Sequence, residues 1–190
     1  MTSPKILVFA GSIRTGALSG KLAAAAAKEL ALNDADVTKI SLGDYELPIY
    51  NGDFEKEKGV PENAKKLARQ IAAHHGVFIA TPEYNNSMPP LLKNTIDWIS
   101  RIKGSEIKYR SRVFGIGSTS DGLIGGARAL IDLRKVIMPG LGAIVIPEKV
   151  EVSRAQDAFD EAGNFIAEAP EKLLKGLCKH LVELAGRLVD

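Results

Sequence analysis

The chain has a single cysteine, Cys178, which excludes an internal disulfide. Its apolar neighbours make it an expected buried thiol, so redox chemistry through sulfur is not expected. Histidine is scarce too, with three residues. His74, His75 and His180 stand at no spacing with Cys, Asp or Glu that builds a zinc site, and the adjacent pair, if helical, points in different directions. No metal is expected. No apolar run approaches the ~20 residues that a membrane span requires. No charged leader with a long apolar stretch precedes the strand-like run at Lys5, so a secretory signal is not expected and a cytoplasmic location is.

Charge of one sign is also missing. A net charge of +2, with Lys and Arg dispersed, excludes a nucleic-acid footprint. The short basic run at Lys108, Arg110 and Arg112 reads as a solvated turn. There is no internal repeat, linker or low-complexity tract, and 190 residues suffice for one core, so residues 1–190 are expected to form one domain.

What is present is alternation. Apolar, β-branched runs at Lys5–Ala10, Val77–Thr81, Val113–Gly117 and Ala143–Ile146, with a weaker one at Val37–Ser41, read as five strands. The better runs are apolar without a two-residue period, the pattern of strands covered on both faces of a parallel sheet. Between them lie helical spacings: Leu22, Ala26 and Leu30; Ala64, Leu67, Ala68 and Ile71; Leu92, Ile96 and Ile99; Leu130, Leu133 and Ile137. A last amphipathic helix carries Leu173, Leu177, Leu181, Leu184 and Leu188 as its packing stripe, with Pro170 near its first turn. Alternating β and α units with short, right-handed connections predict an α/β fold: a flavodoxin-like, doubly wound, five-stranded parallel sheet in the order 2-1-3-4-5, with helices on both faces. The stretch from Asp44 to Gly59 is long and turn-rich, a candidate contact for a partner subunit.

In such a sheet ligands bind beyond the carboxyl ends of the strands where the order reverses, so the loops after strands 1, 3 and 4 should carry the unusual residues. They do. After strand 1, Gly11-Ser12-Ile13-Arg14-Thr15-Gly16-Ala17-Leu18-Ser19 combines small residues, hydroxyls and a guanidinium at a helix N-terminus, a setting for an anion. Ala17 and Leu18 stand where a nucleotide P-loop needs Lys and a Mg²⁺-binding Ser or Thr, which disfavours an ATPase or GTPase. The G-x-G-x-x-G fingerprint is missing, and strand 2 does not end in an acidic residue to hold a ribose, so a monophosphate such as that of FMN fits better than a pyrophosphate. After strand 3, Thr81-Pro82-Glu83-Tyr84-Asn85-Asn86-Ser87-Met88-Pro89-Pro90 forms a proline-stiffened loop able to border a flat heterocycle, with Asn85 and Asn86 suited to turn conformations. After strand 4, Gly117-Ser118-Thr119-Ser120-Asp121-Gly122 and Gly125-Gly126 suit a polar ligand at close backbone range.

These residues carry a resemblance. Thr81-Pro82-Glu83-Tyr84-Asn85-Asn86-Ser87-Met88-Pro89, followed by Leu92-Lys93-Asn94-Thr95-Ile96-Asp97-Trp98, is similar to the T-P-E-Y-N-x-S-x-P-G-x-L-K-N-A-I-D-W run of the NADPH-dependent FMN reductase family of quinone, azo and chromate reductases, and the resemblance covers nearly the whole chain. Gly11, Ser12 and Arg14 match that family's phosphate loop, G-S-x-R-x-x-S-x-N; Ala17 replaces its serine, Ser19 its asparagine, and Pro90 the glycine after Pro89. The resemblance implies that Ser12, Arg14 and Ser19 hold the FMN phosphate, with Ala17 and Leu18 in the same cofactor-binding loop. It implies that Pro82, Glu83, Tyr84 and Asn85 border the isoalloxazine and that Ser118 and Gly122 lie against its other edge. It also implies an NAD(P)H co-substrate, a small electron acceptor and a homodimer or homotetramer. The flavin then carries the chemistry and no catalytic side chain is needed; Glu83 and Asp97 read as structural. Two alternatives stay open: a flavodoxin-type electron carrier and a flavin-responsive binding protein, neither with its own NAD(P)H oxidase activity.

Overall fold

In the computed structural model, which describes residues 3–102 and 109–188, β1 (Lys5–Ala10), β2 (Asp36–Lys39), β3 (Gly76–Pro82), β4 (Val113–Thr119) and β5 (Ile144–Val152) form one sheet. Every pairing is parallel and the order is β2-β1-β3-β4-β5, as expected from the alternation. The helices between them are α1 (Leu18–Leu32), α2 (Gly52–Lys58), α3 (Glu62–Ala73), α4 (Pro90–Ser100), α5 (Ala127–Lys135) and α6 (Glu168–Gly186).

The uninterrupted apolar strands have a direct explanation. Ile6, Val8, Phe78 and Ala80 face α1 and α6, packing with Leu22, Ala26, Leu30, Leu177 and Leu181. Leu7, Phe9, Val77, Ile79, Phe114 and Ile116 face the other way, onto Leu67 and Ile71 of α3, Leu92 and Ile96 of α4, and Leu130 and Leu133 of α5. Two cores result, one on each side of the sheet. Each fully buried Leu, Ile or Phe contributes roughly 1.5–3 kcal/mol, so the central strands are apolar on both faces along most of their length, and buried Thr81, Ser118 and Thr119 stand only at their carboxyl ends.

Several expectations need correction. The last strand runs from Ile144 to Val152, past Pro147, because the register with β4 shifts between Phe114 and Ile116; Pro147 lies on an edge strand at an irregularity, where its missing N–H costs no ladder bond. On α6 the buried stripe is Leu174, Leu177, Cys178, Leu181 and Ala185, whereas Leu173 is 55% exposed. Leu188 lies beyond the helix end. The helix predicted through Ile137 ends at Lys135 and continues as a π-helical turn, Val136–Leu141, around Pro139. His74 and His75 are not helical neighbours: α3 stops at Ala73, His74 caps it, and His75 Nδ1 accepts the N–H of Lys5 at 2.9 Å. Arg112 is not a solvated turn residue, since its guanidinium donates to the Ala72 carbonyl at 2.7 Å, and Lys108 lies outside the described residues. Cys178 is fully buried, and burial pushes its thiol pKa well up.

The stretch from Asp44 to Gly59 includes α2 and the end of a 3-10 turn, Leu42–Tyr45, and it is strapped to α4. Trp98 Nε1 donates to the Pro48 carbonyl at 2.7 Å, and Asn94 both donates to that carbonyl and accepts the Tyr50 N–H. Arg101 closes the strap with a bond to Glu55 at 2.9 Å.

Candidate functional site

The order reversal lies between β1 and β3, and the loops after β1, β3 and β4 meet there. Gly11 ends β1 against its neighbour, donating to the Ala80 carbonyl at 2.7 Å, and a Cβ on it would stand 3.0 Å from Leu92 of α4. That crowding explains the glycine.

The loop after β3 is held by a two-residue turn. Tyr84 and Ser87 exchange both backbone hydrogen bonds, at 2.9 and 3.0 Å, while Asn85 and Asn86 take φ of 49° and 64°. Asparagine tolerates this left-handed pair better than most residues, as its composition implied. Pro82 ends β3 beside Thr119, and Tyr84 is 45% exposed at the rim.

Glu83 reaches across to the next loop. Its Oε2 accepts the backbone N–H groups of Arg128 and Ala129, at 3.0 and 3.2 Å, and so caps the N-terminus of α5, whose own N-cap is Gly126. Arg128 donates to Asn86 Oδ1 at 3.0 Å, and Ser87 donates to Asp132 at 2.6 Å. The carboxylate therefore braces two loops against each other, in keeping with the structural role read for it.

The loop after β4 is equally committed. Ser118 is buried and its hydroxyl donates to the Gly125 carbonyl at 2.7 Å, so what Ser118 presents to a ligand is main chain. Gly122 N–H donates to Ser120 Oγ at 3.2 Å. Gly125 has φ of 60°, and a Cβ there would lie 2.8 Å from the backbone of Glu151. No other residue fits.

The loop after β1 differs. Its N-cap, Ala17, offers no side-chain bond, and the first turn of α1 holds no acidic residue. Among the described residues the N–H groups of Ile13, Thr15 and Gly16 find no acceptor, and Arg14 makes no ion pair. Ser19 is buried at 1% exposure, yet its Oγ has no hydrogen-bond partner. A buried, unsatisfied hydroxyl costs free energy unless a ligand completes it. Of the helices α1, α4 and α5, α5 is capped by Glu83 and α4 begins with Pro90, which has no N–H. The first turn of α1 is left uncapped beside the loop after β1, with its partial positive charge and free donors, so the donor set fits a phosphate monoester. Ser12, Arg14 and Ala17 line a cleft of about 670 Å³ beside this turn, and Leu18 opens the helix.

The structure thus brings the sequence-predicted residues to one end of the sheet. It adds Asp132 and the bond between Arg128 and Asn86, which rest on partners more than forty residues apart, and a steric reason for Gly125 that no local signal reveals.

A family model described as NADPH-dependent FMN reductase matches residues 4–157, which leaves α6 outside the match. A quinone reductase of Escherichia coli strain K12 is 36% identical over 135 residues, covering 70% of this chain and 69% of that one. A 2-hydroxy-1,4-benzoquinone reductase of a Burkholderia species is 34% identical over 171 residues, covering 90% of each. Among solved structures, a flavoenzyme NAD(P)H:(acceptor) oxidoreductase of Paracoccus denitrificans superposes with a TM-score of 0.79 at 27% identity, covering 97% of this chain and 98% of that one. With a flavodoxin-like sheet and these matches in place, the chain belongs to the NADPH-dependent FMN reductase family and is an FMN-dependent oxidoreductase.

Proposed function

We propose that this protein passes reducing equivalents from NAD(P)H to a small acceptor, in the class of quinones, free flavins, azo compounds or chromate, by a ping-pong sequence. When FMN is bound, it supplies the redox chemistry, a two-electron exchange with the nicotinamide and then with the acceptor at one place. The chain's own residues bind and orient. Ser12, Arg14 and Ser19 hold the phosphate, with the main chain of Ala17 and Leu18 at the open helix end. Pro82, Glu83, Tyr84 and Asn85 form one wall of the ring site, and Ser118 and Gly122 the other. Because Glu83 holds these walls together before any ligand arrives, little ordering cost remains for binding.

The observation that carries this reading is the uncapped first turn of α1, with the unpartnered buried hydroxyl of Ser19. A homodimer or homotetramer belongs to the same proposal, and exposed Ile49, Leu123 and Ile131, at 77%, 77% and 65%, are available to such contacts. Residues 1–190 act as one flavin-binding domain.

The test is direct. Purified protein should be yellow or take up FMN, bleach on mixing with NADPH, and reoxidise with a quinone without releasing FMN. Flavin uptake without bleaching in the absence of a separate reductase would leave a carrier or sensor, and a preparation that takes up no FMN at saturation would remove the proposal altogether.

A further inference from the structure

We propose that Asp121 and Gln156 form a positioning pair that fixes the Gly122 wall of the ring site, so that the rate of flavin reduction depends on a turn lying beyond the last strand. The inference rests on the reading of Gly122 as a wall of the flavin site and deepens it.

The loop after β4 is held at two places. Its far half is fixed sterically, where Gly125 presses on the backbone of Glu151. Its near half is fixed by hydrogen bonds to the end of β5 and the chain beyond it. Ser120 N–H donates to the Val152 carbonyl at 3.0 Å, and the Ser120 carbonyl accepts the Ala155 N–H at 3.2 Å. Asp121 then engages Gln156 with both oxygens: Oδ1 accepts the backbone N–H at 3.2 Å, and Oδ2 accepts from the side-chain Nε2 at 2.9 Å. A carboxylate held at both oxygens by one residue is fixed in direction as well as distance. Gly122 follows at once in the chain, with its own N–H turned inward to Ser120 Oγ.

The turn that supplies Gln156 is itself built at a cost. Arg154 takes φ of 44°, a left-handed conformation that a long side chain adopts only where its surroundings impose it. It redirects the chain after β5 into a 3-10 turn, Ala155–Asp157, whose Ala155 is fully buried, and this delivers Gln156 to Asp121. Both partners are nonetheless exposed. An exposed hydrogen bond adds little to folding stability, because water offers the same groups an equal partner. Among the described residues Asp121 makes no ion pair, so its contact is directional rather than Coulombic. What the pair changes is therefore the place of Gly122 relative to the opposite wall, which Glu83 already braces.

The experiment compares Asp121→Ala, Asp121→Asn, Gln156→Ala and the Asp121→Ala, Gln156→Ala double variant with the parent, each saturated with FMN. Asp121→Ala should change the visible circular dichroism of the bound flavin and slow its bleaching by NADPH in rapid mixing by about tenfold, the order of cost that a small misplacement of reacting groups carries. Asp121→Asn keeps an acceptor oxygen and should recover most of both signals. Gln156→Ala should move them in the same direction as Asp121→Ala, and the double variant should be no worse than Asp121→Ala alone. Melting temperatures of the flavin-free proteins should stay within about 2 °C of the parent, as for other surface substitutions. Unchanged dichroism and bleaching in Asp121→Ala, no rescue by asparagine, or additive losses in the double variant would overturn the pair. A lowered melting temperature with unmoved flavin signals would overturn it too, leaving a plain surface contact. Flavin uptake is read separately by absorbance: a parent chain that takes up no FMN overturns the flavin reading itself, whereas a loaded parent with unmoved variants overturns this inference alone.

Discussion

The two sides of the site are built on opposite plans. The side formed by the loops after β3 and β4 is fully committed before any ligand arrives: Glu83 caps α5, Asn86 and Ser87 bond to Arg128 and Asp132, and Ser118 bonds to Gly125. The side formed by the loop after β1 keeps the N–H groups of Ile13, Thr15 and Gly16 free, with Ala17 giving no cap and Ser19 Oγ unpartnered. A planar ring needs a slot of fixed width, which only groups already bonded to each other can hold. A phosphate needs unspent donors, which a well-capped helix lacks. On the proposed reading, stability is concentrated on the ring side and affinity on the phosphate side.

That division can be broken most severely at Gly125. Alanine there combines a left-handed backbone with a Cβ placed 2.8 Å from the Glu151 backbone. The expected loss is about 2–4 kcal/mol of folding stability, read from urea denaturation, with flavin binding weakened as a consequence. A variant as stable as the parent would show that the β4 loop is free to move and that the ring side is not pre-set.

Arg14→Ala should do the reverse. Losing one charged partner costs ~1.5–3 kcal/mol of FMN affinity, roughly tenfold to a hundredfold in a fluorescence titration, with the flavin-free protein as stable as before to within about 0.5 kcal/mol. Unchanged affinity would take Arg14 out of the site.

Glu83→Ala should remove about 1–2 kcal/mol of stability, as loss of a helix cap does, and lower the melting temperature of the flavin-free protein. Glu83→Gln keeps a carbonyl acceptor for Arg128 and Ala129 and should recover part of that loss. If Gln and Ala behave alike, the cap is not what Glu83 contributes.

Ser19→Ala gives the smallest effect and the sharpest sign. Removing an unsatisfied buried hydroxyl should leave the flavin-free protein as stable or slightly more so, while FMN affinity falls by about 0.5–1.5 kcal/mol. A loss of stability without loss of affinity would reverse the assignment of this hydroxyl to the ligand.

Much of this was legible in the residues. Lys5–Ala10, Val77–Thr81 and Val113–Gly117 lie wholly within strands, and Asn85-Asn86 marked its turn, because burial on both faces and positive φ leave local composition signals. The continuation of β5 through Pro147 was not legible, since it depends on a register shift against β4. Nor was the choice of Leu174 over Leu173 for the buried face of α6, where a helical spacing of leucines admits two neighbouring stripes and only packing on the sheet selects one.

The chain's own order of residues determined the layers and the ends of the strands at which the unusual loops fall, because a run of apolar side chains and a helical period act over a few neighbours. Tertiary structure alone decided how the N-terminus of α5 is closed. The carboxylate that closes α5 comes from Glu83, 45 residues before the N–H it accepts from Arg128, and no local pattern records a bond formed only when two separate strands lie side by side.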